Sequence, residues 1–206
     1  PMHLFSLLTR LRQTCCDLSL LPGVKRGGAM GIKNEILIQK IHDLKASNSK
    51  AIVFSQFTSY LNILENDIRK EFRDIKILKL TGATRDRAKP VDEFQNSPNC
   101  SVMLASLKAA GLGVTLTAAD YVFIMDPWWN PAVEEQAIDR AHRIGREKPT
   151  FIYRMIAQGT IEERVRELQK NKKQTFQQIL GATERTTRLS EHFSDLEELI
   201  NLREIR

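Results

Sequence analysis

Arginine recurs at every third position in one stretch of the chain, EEQAIDRAHRIGREKP, which covers residues 134–149. The repeat consists of Arg140, Arg143 and Arg146, with His142 among them, at the end of a predicted helix. Side chains three residues apart share a helix face, so this face would carry three guanidiniums. A guanidinium stays charged, and its planar fork matches the oxygens of a phosphate. The spacing therefore indicates a phosphate-binding cluster, with a solvated helix face as the alternative.

The composition is that of an ordinary globular protein with a modest preference for an anionic partner. The chain has 206 residues, 42% of them hydrophobic, and a formal net charge of +6. Lysine and arginine balance aspartate and glutamate from Thr160 onward, so the whole basic excess lies before that residue. A basic excess favours nucleic acid or another polyanion as the partner, although many basic proteins bind neither.

Cysteine usage and hydropathy indicate an intracellular protein. Cys15, Cys16 and Cys100 show no metal-binding spacing and leave an odd count, so we expect reduced thiols. No apolar run approaches the ~18 residues of a membrane span, and no signal peptide is present. Because the chain opens on Pro1, we expect it to be a fragment of a longer protein.

Apolar runs alternate with helical patterns along the middle of the chain. Each run is rich in β-branched or aromatic residues and is apolar enough to be covered on both faces. Strands that alternate with helices predict an α/β fold with a parallel sheet and right-handed crossovers. The five predicted strands lie at 50–55, 74–80, 100–105, 120–126 and 149–157.

Helical patterns fill the gaps and both flanks. One helix is predicted around 60–72, a second runs through Val91 and Phe94, and a third covers 131–144 with Asn130 as its cap. At the flanks, 4–20 and 161–179 are predicted to be helical, and a loop with four glycines follows the first of them. The expected organisation is a helical segment with a Gly-rich loop at 1–30, a lobe at 31–159, and a long helix with a helical tail at 160–206.

The loops after the predicted strands lack the usual means of holding a nucleotide. The first strand is followed by SQFTSY, which contains no glycine, and no P-loop sequence is present. Asp126 ends a strand as a magnesium-binding acid would, but Pro127 follows it. The domain therefore has arginines that could contact a phosphate but no P-loop or magnesium ligand to bind the nucleotide. This combination fits one lobe of a two-lobed motor, in which an arginine finger reaches across the cleft to a nucleotide bound by the other lobe.

Four motifs make the sequence similar to a known family. KAIVFSQF, LTGATRDR, VMLASLKAAGLGVTLTAADYVFIMDPWWNPA and EEQAIDRAHRIGREKP resemble motifs IV, IVa, V and VI of the Swi/Snf-type DNA-translocase ATPases in helicase superfamily two. GTIEERVRELQKNKKQTFQQILG resembles the brace helix that follows them. The similarity covers roughly residues 4–182. It implies a RecA-like second helicase lobe, a P-loop NTPase-type parallel sheet flanked by helices, with helical N- and C-terminal extensions.

The resemblance also implies a nucleotide site. Arg140 and Arg143 match the paired finger arginines, and these would be the catalytic residues. Gln136 matches the glutamine that opens motif VI, while Gly111 and Gly113 match glycines that line the cleft; a tight turn without a ligand is the alternative for the glycines. The nucleotide would be ATP with Mg²⁺, held mainly by the first lobe, so the fragment alone is expected to be inactive.

Five further positions match residues that face DNA in the family, and backbone contacts of this kind are independent of sequence. At least one of the adjacent Trp128 and Trp129 is expected in the core, and Trp129 is the better DNA candidate. The implied partners are double-stranded DNA, the first lobe of the same protein and DNA-bound proteins, with a monomeric fragment. The DNA-binding positions are Ser55, Gln56, Thr84, Lys108 and Trp129.

The expected function is therefore the C-terminal motor lobe of an ATP-dependent double-stranded DNA translocase. The alternative is a stand-alone lobe that serves as a nucleic-acid- or protein-binding module. Arg146, Thr115 and Thr81 depart from residues common in the family, which leaves the subfamily open. The compact motif spacing favours a bacterial cytoplasm, with the nucleus as the location if the source is eukaryotic.

Overall fold

The computed structural model of the chain describes residues 2–110, 114–141 and 149–179, with side chains for 5–110, 114–141 and 149–170. All five predicted strands are present and form one parallel sheet in the order β2-β3-β1-β4-β5. The α/β prediction is thus confirmed. The strands are β1 (Lys50–Ser55), β2 (Lys76–Leu80), β3 (Ser101–Ser106), β4 (Tyr121–Ile124) and β5 (Phe151–Arg154).

Helices cover both faces of the sheet and supply its flanks. Asp17 directly follows α1 and caps a short 3-10 helix, Leu18–Leu20. Its side chain accepts a hydrogen bond of 2.9 Å from the Ser19 amide. The predicted helix at 4–20 is therefore two elements. The end of the helix predicted at 131–144 lies outside the described residues. The helices are α1 (Met2–Cys16), α2 (Ile32–Ala46), α3 (Thr58–Glu71), α4 (Ala88–Asn96), α5 (Leu107–Ala110), α6 (Pro131–Ala141) and α7 (Ile161–Ile179).

The central strand β1 separates two hydrophobic cores. Successive side chains of a strand point to opposite faces, so Ala51 and Val53 enter one core while Ile52 and Phe54 enter the other. All four are fully buried. A strand that packs on both faces cannot alternate apolar with polar residues, which explains why β1 reads as a continuous apolar run.

Helix α2 was not predicted, and its packing explains why. Leu37, Ile41 and Leu44 pack into the core, but Ile32 remains 65% exposed and Lys33 only 3% exposed. At Ile32 and Lys33, in the first turn, the apolar and the charged residue therefore occupy the opposite positions from those that a simple amphipathic stripe requires.

The flanking helices α1 and α7 pack together next to the sheet. Leu8 of α1 is buried against Trp129, Ile161 and Leu168. Through these contacts the long helix α7 packs on α1 and on the segment that precedes α6. None of the described helices is long and apolar enough to cross a membrane. Cys15, Cys16 and Cys100 are free thiols in the structure.

Candidate functional site

Four of the predicted DNA-binding residues follow four neighbouring strands at one edge of the sheet. Carboxyl ends of parallel strands share an edge, and ligands of open α/β sheets bind there. In sheet order, Thr84 follows β2, Lys108 follows β3, Gln56 follows β1 and Trp129 follows β4. Because neighbouring strands lie about 4.8 Å apart, these four loops form a row along the edge.

Thr84 and Lys108 occupy one end of this row. The Thr84 hydroxyl accepts a hydrogen bond of 3.0 Å from the amide of Thr81, and the Thr84 amide donates to the Thr81 carbonyl at 3.1 Å. These two bonds fix the turn after β2. The Lys108 side chain is exposed and has no hydrogen-bond or ion-pair partner among the described residues. Its ammonium is therefore available to an anionic ligand.

Ser55 is placed differently from its prediction. Its side chain is fully buried, donates at 2.5 Å to an Asp126 carboxylate oxygen and accepts from the Phe57 amide at 3.0 Å. Ser55 is the last residue of β1, and its hydroxyl points at the end of the neighbouring strand β4, because the two strands pair in register. In this arrangement Ser55 faces no surface that DNA could reach.

Gln56 and Trp129 are held by Arg12, a residue of α1 that was not predicted to belong to the site. One guanidinium nitrogen donates to the Gln56 side-chain oxygen at 3.1 Å, and the guanidinium carbon lies 4.9 Å from the centre of a Trp129 ring. A cation over a tryptophan face is an attractive contact. Both residues are half-buried. Their predicted DNA-facing positions are thus part of a packed cluster around Arg12.

Asp126 is an internal acid rather than an open metal ligand. It is fully buried, and its oxygens lie 2.5 Å from the Ser55 hydroxyl and 3.7 Å from the Arg12 guanidinium. Burial raises the pKa of Asp126, while the Ser55 hydrogen bond and the Arg12 charge oppose that rise. Burial also lowers the pKa of Arg12. Among the described residues, no group of three or more His, Cys, Asp or Glu side chains could hold a metal ion.

Helix α6 carries the described part of the predicted nucleotide site. Gln136 is exposed, and Arg140 is half-buried in the last turn. The Arg140 carbonyl accepts a 2.9 Å hydrogen bond from the amide of Leu116. The Arg140 guanidinium has no partner among the described residues. The predicted site residues Gly111, Gly113 and Arg143 lie outside those residues.

Small side chains bring α6 against α5. Ala109 and Ala110 of α5 and Ala137 and Ala141 of α6 are buried in the same core cluster. Alanine side chains let two helix backbones approach closely. This packing and the Leu116–Arg140 bond hold the end of α6 beside the segment that joins α5 to β4.

Sequence reasoning missed two ion pairs at this edge, each of which contains a buried acid. The Lys33 ammonium donates to both Glu162 oxygens at 2.6 Å, and the Arg154 guanidinium donates to Glu134 at 2.6 Å. For Arg12 a signal exists, because Leu8, Arg12 and Cys16 recur every fourth residue on the buried stripe of α1. No comparable local pattern marks Lys33.

Comparison with known proteins identifies the family. Residues 32–145 match the helicase conserved C-terminal domain, which is more than half of the chain. The chain belongs to this helicase family. The match extends from α2 through β4 and α6, and so includes the strand edge and the helix described above.

Individual relatives agree with this assignment. The chain is 44% identical over 160 residues to DNA repair protein RAD5B of Arabidopsis thaliana, covering 75% of the chain and 12% of that protein. It is 36% identical over 178 residues to an ATP-dependent helicase of Mycoplasma pneumoniae, covering 86% and 17%. This helicase domain thus spans under a fifth of the length of either. Relatives from plants, fungi and a bacterium do not support the expected preference for a bacterial source.

Solved structures show the same lobe. The Sulfolobus solfataricus SWI2/SNF2 ATPase core in complex with dsDNA aligns with a TM-score of 0.69 at 29% identity, covering 85% of this chain and 37% of that one. The C-terminal part of the Fun30 ATPase domain aligns with a TM-score of 0.67 at 26% identity, covering 95% and 61%. The prediction of a RecA-like second helicase lobe of the SWI2/SNF2 type is confirmed.

Proposed function

We propose that this helicase domain is the second motor lobe of an ATP-dependent translocase on double-stranded DNA. The observation that carries the proposal is the hydrogen bond between the Leu116 amide and the Arg140 carbonyl. It joins the end of α6 to the motif V segment, in which Gly113 precedes Leu116 by three residues. The described parts of the motif V and motif VI sequences, which are expected to line one nucleotide cleft, are therefore adjacent.

Arg140 has the properties of a residue that neutralises charge on a phosphate. Its guanidinium is half-buried on a helix fixed by core packing, and it has no partner among the described residues. An arginine that is already positioned stabilises charge developing in the transition state without reorganising. Arg143 lies three residues on and would share this face, and exposed Gln136 would contact the nucleotide one turn earlier.

The residues that bind the nucleotide phosphates and the magnesium ion would come from the first lobe. Asp126, the acid at the end of β4, is buried and directed at Ser55 and Arg12, so it does not fit a magnesium ligand. The 206-residue chain alone should therefore hydrolyse no ATP above background. Measurable magnesium-dependent turnover by this chain in a coupled ATPase assay would contradict the assignment of a half-site.

The DNA backbone would lie along the carboxyl edge of the sheet. Lys108 offers an exposed ammonium that has no partner in the part of the chain that the structure describes, and Thr84 lies in the next loop of the row. Arg85 and Lys89, both exposed, add positive charge after β2. Gln56 and Trp129 would contribute as a surface whose shape is fixed by Arg12, whereas buried Ser55 lies outside the proposed interface.

A salt titration of DNA binding tests the edge. Fluorescence anisotropy with a labelled duplex should show weak binding that is independent of sequence and decreases as salt rises. Lys108→Ala should weaken binding to every duplex similarly and lower the salt slope by about one contact. The control is Lys45→Ala, because Lys45 is exposed at the end of α2, beside the opposite edge of the sheet, where β1 begins. A Lys45→Ala effect as large as that of Lys108→Ala would place the DNA elsewhere.

A further inference from the structure

The segment between β4 and α6 is held by side chains from three flanking helices. The Lys33 ammonium of α2 donates to the Met125 carbonyl at 2.7 Å, the Arg12 guanidinium of α1 donates to the Pro127 carbonyl, and the Gln169 amide of α7 donates to the Trp128 carbonyl at 2.5 Å. Three carbonyls within four residues are thus bound by three different helices. We call these three donors the carbonyl clamp.

Each donor of the carbonyl clamp is itself fixed by a buried acid. Lys33 bonds both oxygens of Glu162, and Arg12 lies 3.7 Å from Asp126. The Gln169 amide also donates to Glu134 at 3.1 Å. All three acids are at most 2% exposed. A donor held by a second buried bond has little freedom to turn away from its carbonyl, so the positions of the flanking helices determine that of the segment.

The segment has few other ways to satisfy its backbone. The regular pairing of β4 ends at Ile124, and Pro127 carries no amide hydrogen. A buried carbonyl without a donor is costly, so these groups require donors from outside the sheet. Removing one donor therefore favours a shift of the segment until water or another group satisfies the carbonyl.

The segment leads directly into the helix that carries Arg140. The Asn130 side chain caps α6 by accepting from the Ala132 amide at 3.0 Å, and Glu134 in the first turn accepts from Gln169. An α-helix transmits a displacement of its first turn to its last with little loss, and α6 is only 11 residues long. Motion at the carbonyl clamp thus reaches the arginine end of the helix.

We propose that Lys33, Arg12 and Gln169 are positioning residues that set α6, and with it Arg140, in register with the nucleotide. This inference rests on the proposed function, since Arg140 must act on a phosphate for its position to matter. It gives the flanking helices α1 and α7 a part in the site rather than a separate accessory role. A displacement of about 1 Å can cost roughly 100-fold in rate.

The sharpest test compares two substitutions at Gln169. Gln169→Met keeps the length of the side chain but donates no hydrogen bond, whereas Gln169→Lys supplies an ammonium that can reach the Trp128 carbonyl and Glu134. In the two-lobed protein with saturating duplex, Gln169→Met should lower kcat by 10- to 100-fold with little change in the KM for ATP. Gln169→Lys should restore most of kcat. Glu167→Gln, an exposed change on the same helix, is the control.

Hydrogen exchange tests the same inference without ATP. In the 206-residue chain, amides of α6 should exchange faster in Gln169→Met than in Gln169→Lys or the wild type, while amides of β1 keep their rates. If Gln169→Met did not unfold cooperatively, and so were not properly folded, Arg12→Lys would take its place. Arg12 uses two separate nitrogens for the Pro127 carbonyl and Gln56, and the single ammonium of lysine cannot reach both. Faster exchange confined to α6 supports positioning.

The outcomes separate this inference from the proposed function. If Arg140→Ala retained normal kcat, the proposed function would be wrong, whereas the exchange result would still test the clamp. If Arg140→Ala were inactive but Gln169→Met kept normal kcat and normal exchange in α6, the clamp would be wrong. Equal losses in Gln169→Met and Gln169→Lys would also overturn it, because the donor would then be irrelevant.

Discussion

Replacement of Lys33 by methionine should destabilise the domain strongly, because it isolates a buried carboxylate. The Lys33 ammonium lies 2.6 Å from both oxygens of Glu162, and the two side chains are 4% and 0% exposed. Breaking a buried ion pair by removing one partner costs about 3–5 kcal/mol. Methionine preserves most of the apolar stem, so the loss comes from the charge and from the bond to the Met125 carbonyl.

The free energy of unfolding from urea denaturation measures this loss at pH 7. We expect a decrease of about 4 kcal/mol for Lys33→Met, in line with the cost of an unpaired buried charge. The double variant Lys33→Met/Glu162→Gln should recover part of it, since no buried charge remains. Lys45→Met on the same helix is the control; its partner Asp74 is exposed, so the midpoint should stay at the wild-type value.

The pH dependence gives a second signature. Burial already raises the pKa of Glu162 above its ordinary value of 4.5, and Lys33 opposes that rise. Without Lys33 the folded state holds the proton to higher pH than the unfolded chain does. The folded variant then binds more protons, so its stability falls as pH rises from 4.5 through the raised folded pKa, and levels off above it. The deficit of Lys33→Met should therefore be smaller at pH 5 than at pH 8.

If Lys33→Met lowered the free energy of unfolding by less than about 1 kcal/mol, the reasoning would be refuted, because an ion pair of that strength behaves as an exposed one. A deficit that grew as pH fell would refute it equally.

Two further predictions concern the loop and the thiols. Arg26 donates to both oxygens of buried Asp67 at 2.6 and 2.5 Å. Arg26→Gln should therefore free the loop at 21–31 and raise the rate of thermolysin cleavage there several-fold. The control Lys25→Gln changes an exposed residue of the same loop and should leave the cleavage rate unchanged. Burial raises the pKa of Cys16 well above its ordinary value, so in a disulfide-exchange assay on the folded chain Cys16 should react far more slowly than half-buried Cys15. Equal rates for the two thiols would contradict their burial.

Local sequence determines much of this sheet. The run KAIVFS predicted β1 to the residue, because a strand buried on both faces has a continuous apolar signature that ends where burial ends. The cap of α6 was likewise predicted, since Asn130 lies beside the helix that it begins. Both signals depend on neighbours in the chain.

The buried charges depend on distant partners. Arg12 binds the carbonyl of a residue 115 positions away, and Lys33 binds an acid 129 positions away. No local pattern contains such a pairing. The resemblance to helicase motifs selected Ser55 and Trp129 as DNA contacts, but motif matching does not report burial, and the structure places Ser55 inside. Arg140 and Gln136 stay predictions, although their helix is where the sequence placed it.

The most direct measurement is steady-state ATPase kinetics of Arg140→Ala in the two-lobed protein on saturating duplex. If α6 supplies an arginine finger, kcat should fall by roughly 10³- to 10⁵-fold. ATP affinity should change much less, because the other lobe would hold most of the ground state. Arg146→Ala is the matched variant, and it should be mild, since glutamine is common at that place in the family that the sequence resembles. Near-normal kcat in Arg140→Ala, with folding verified by circular dichroism, would contradict the assignment of this lobe to an ATP-driven motor.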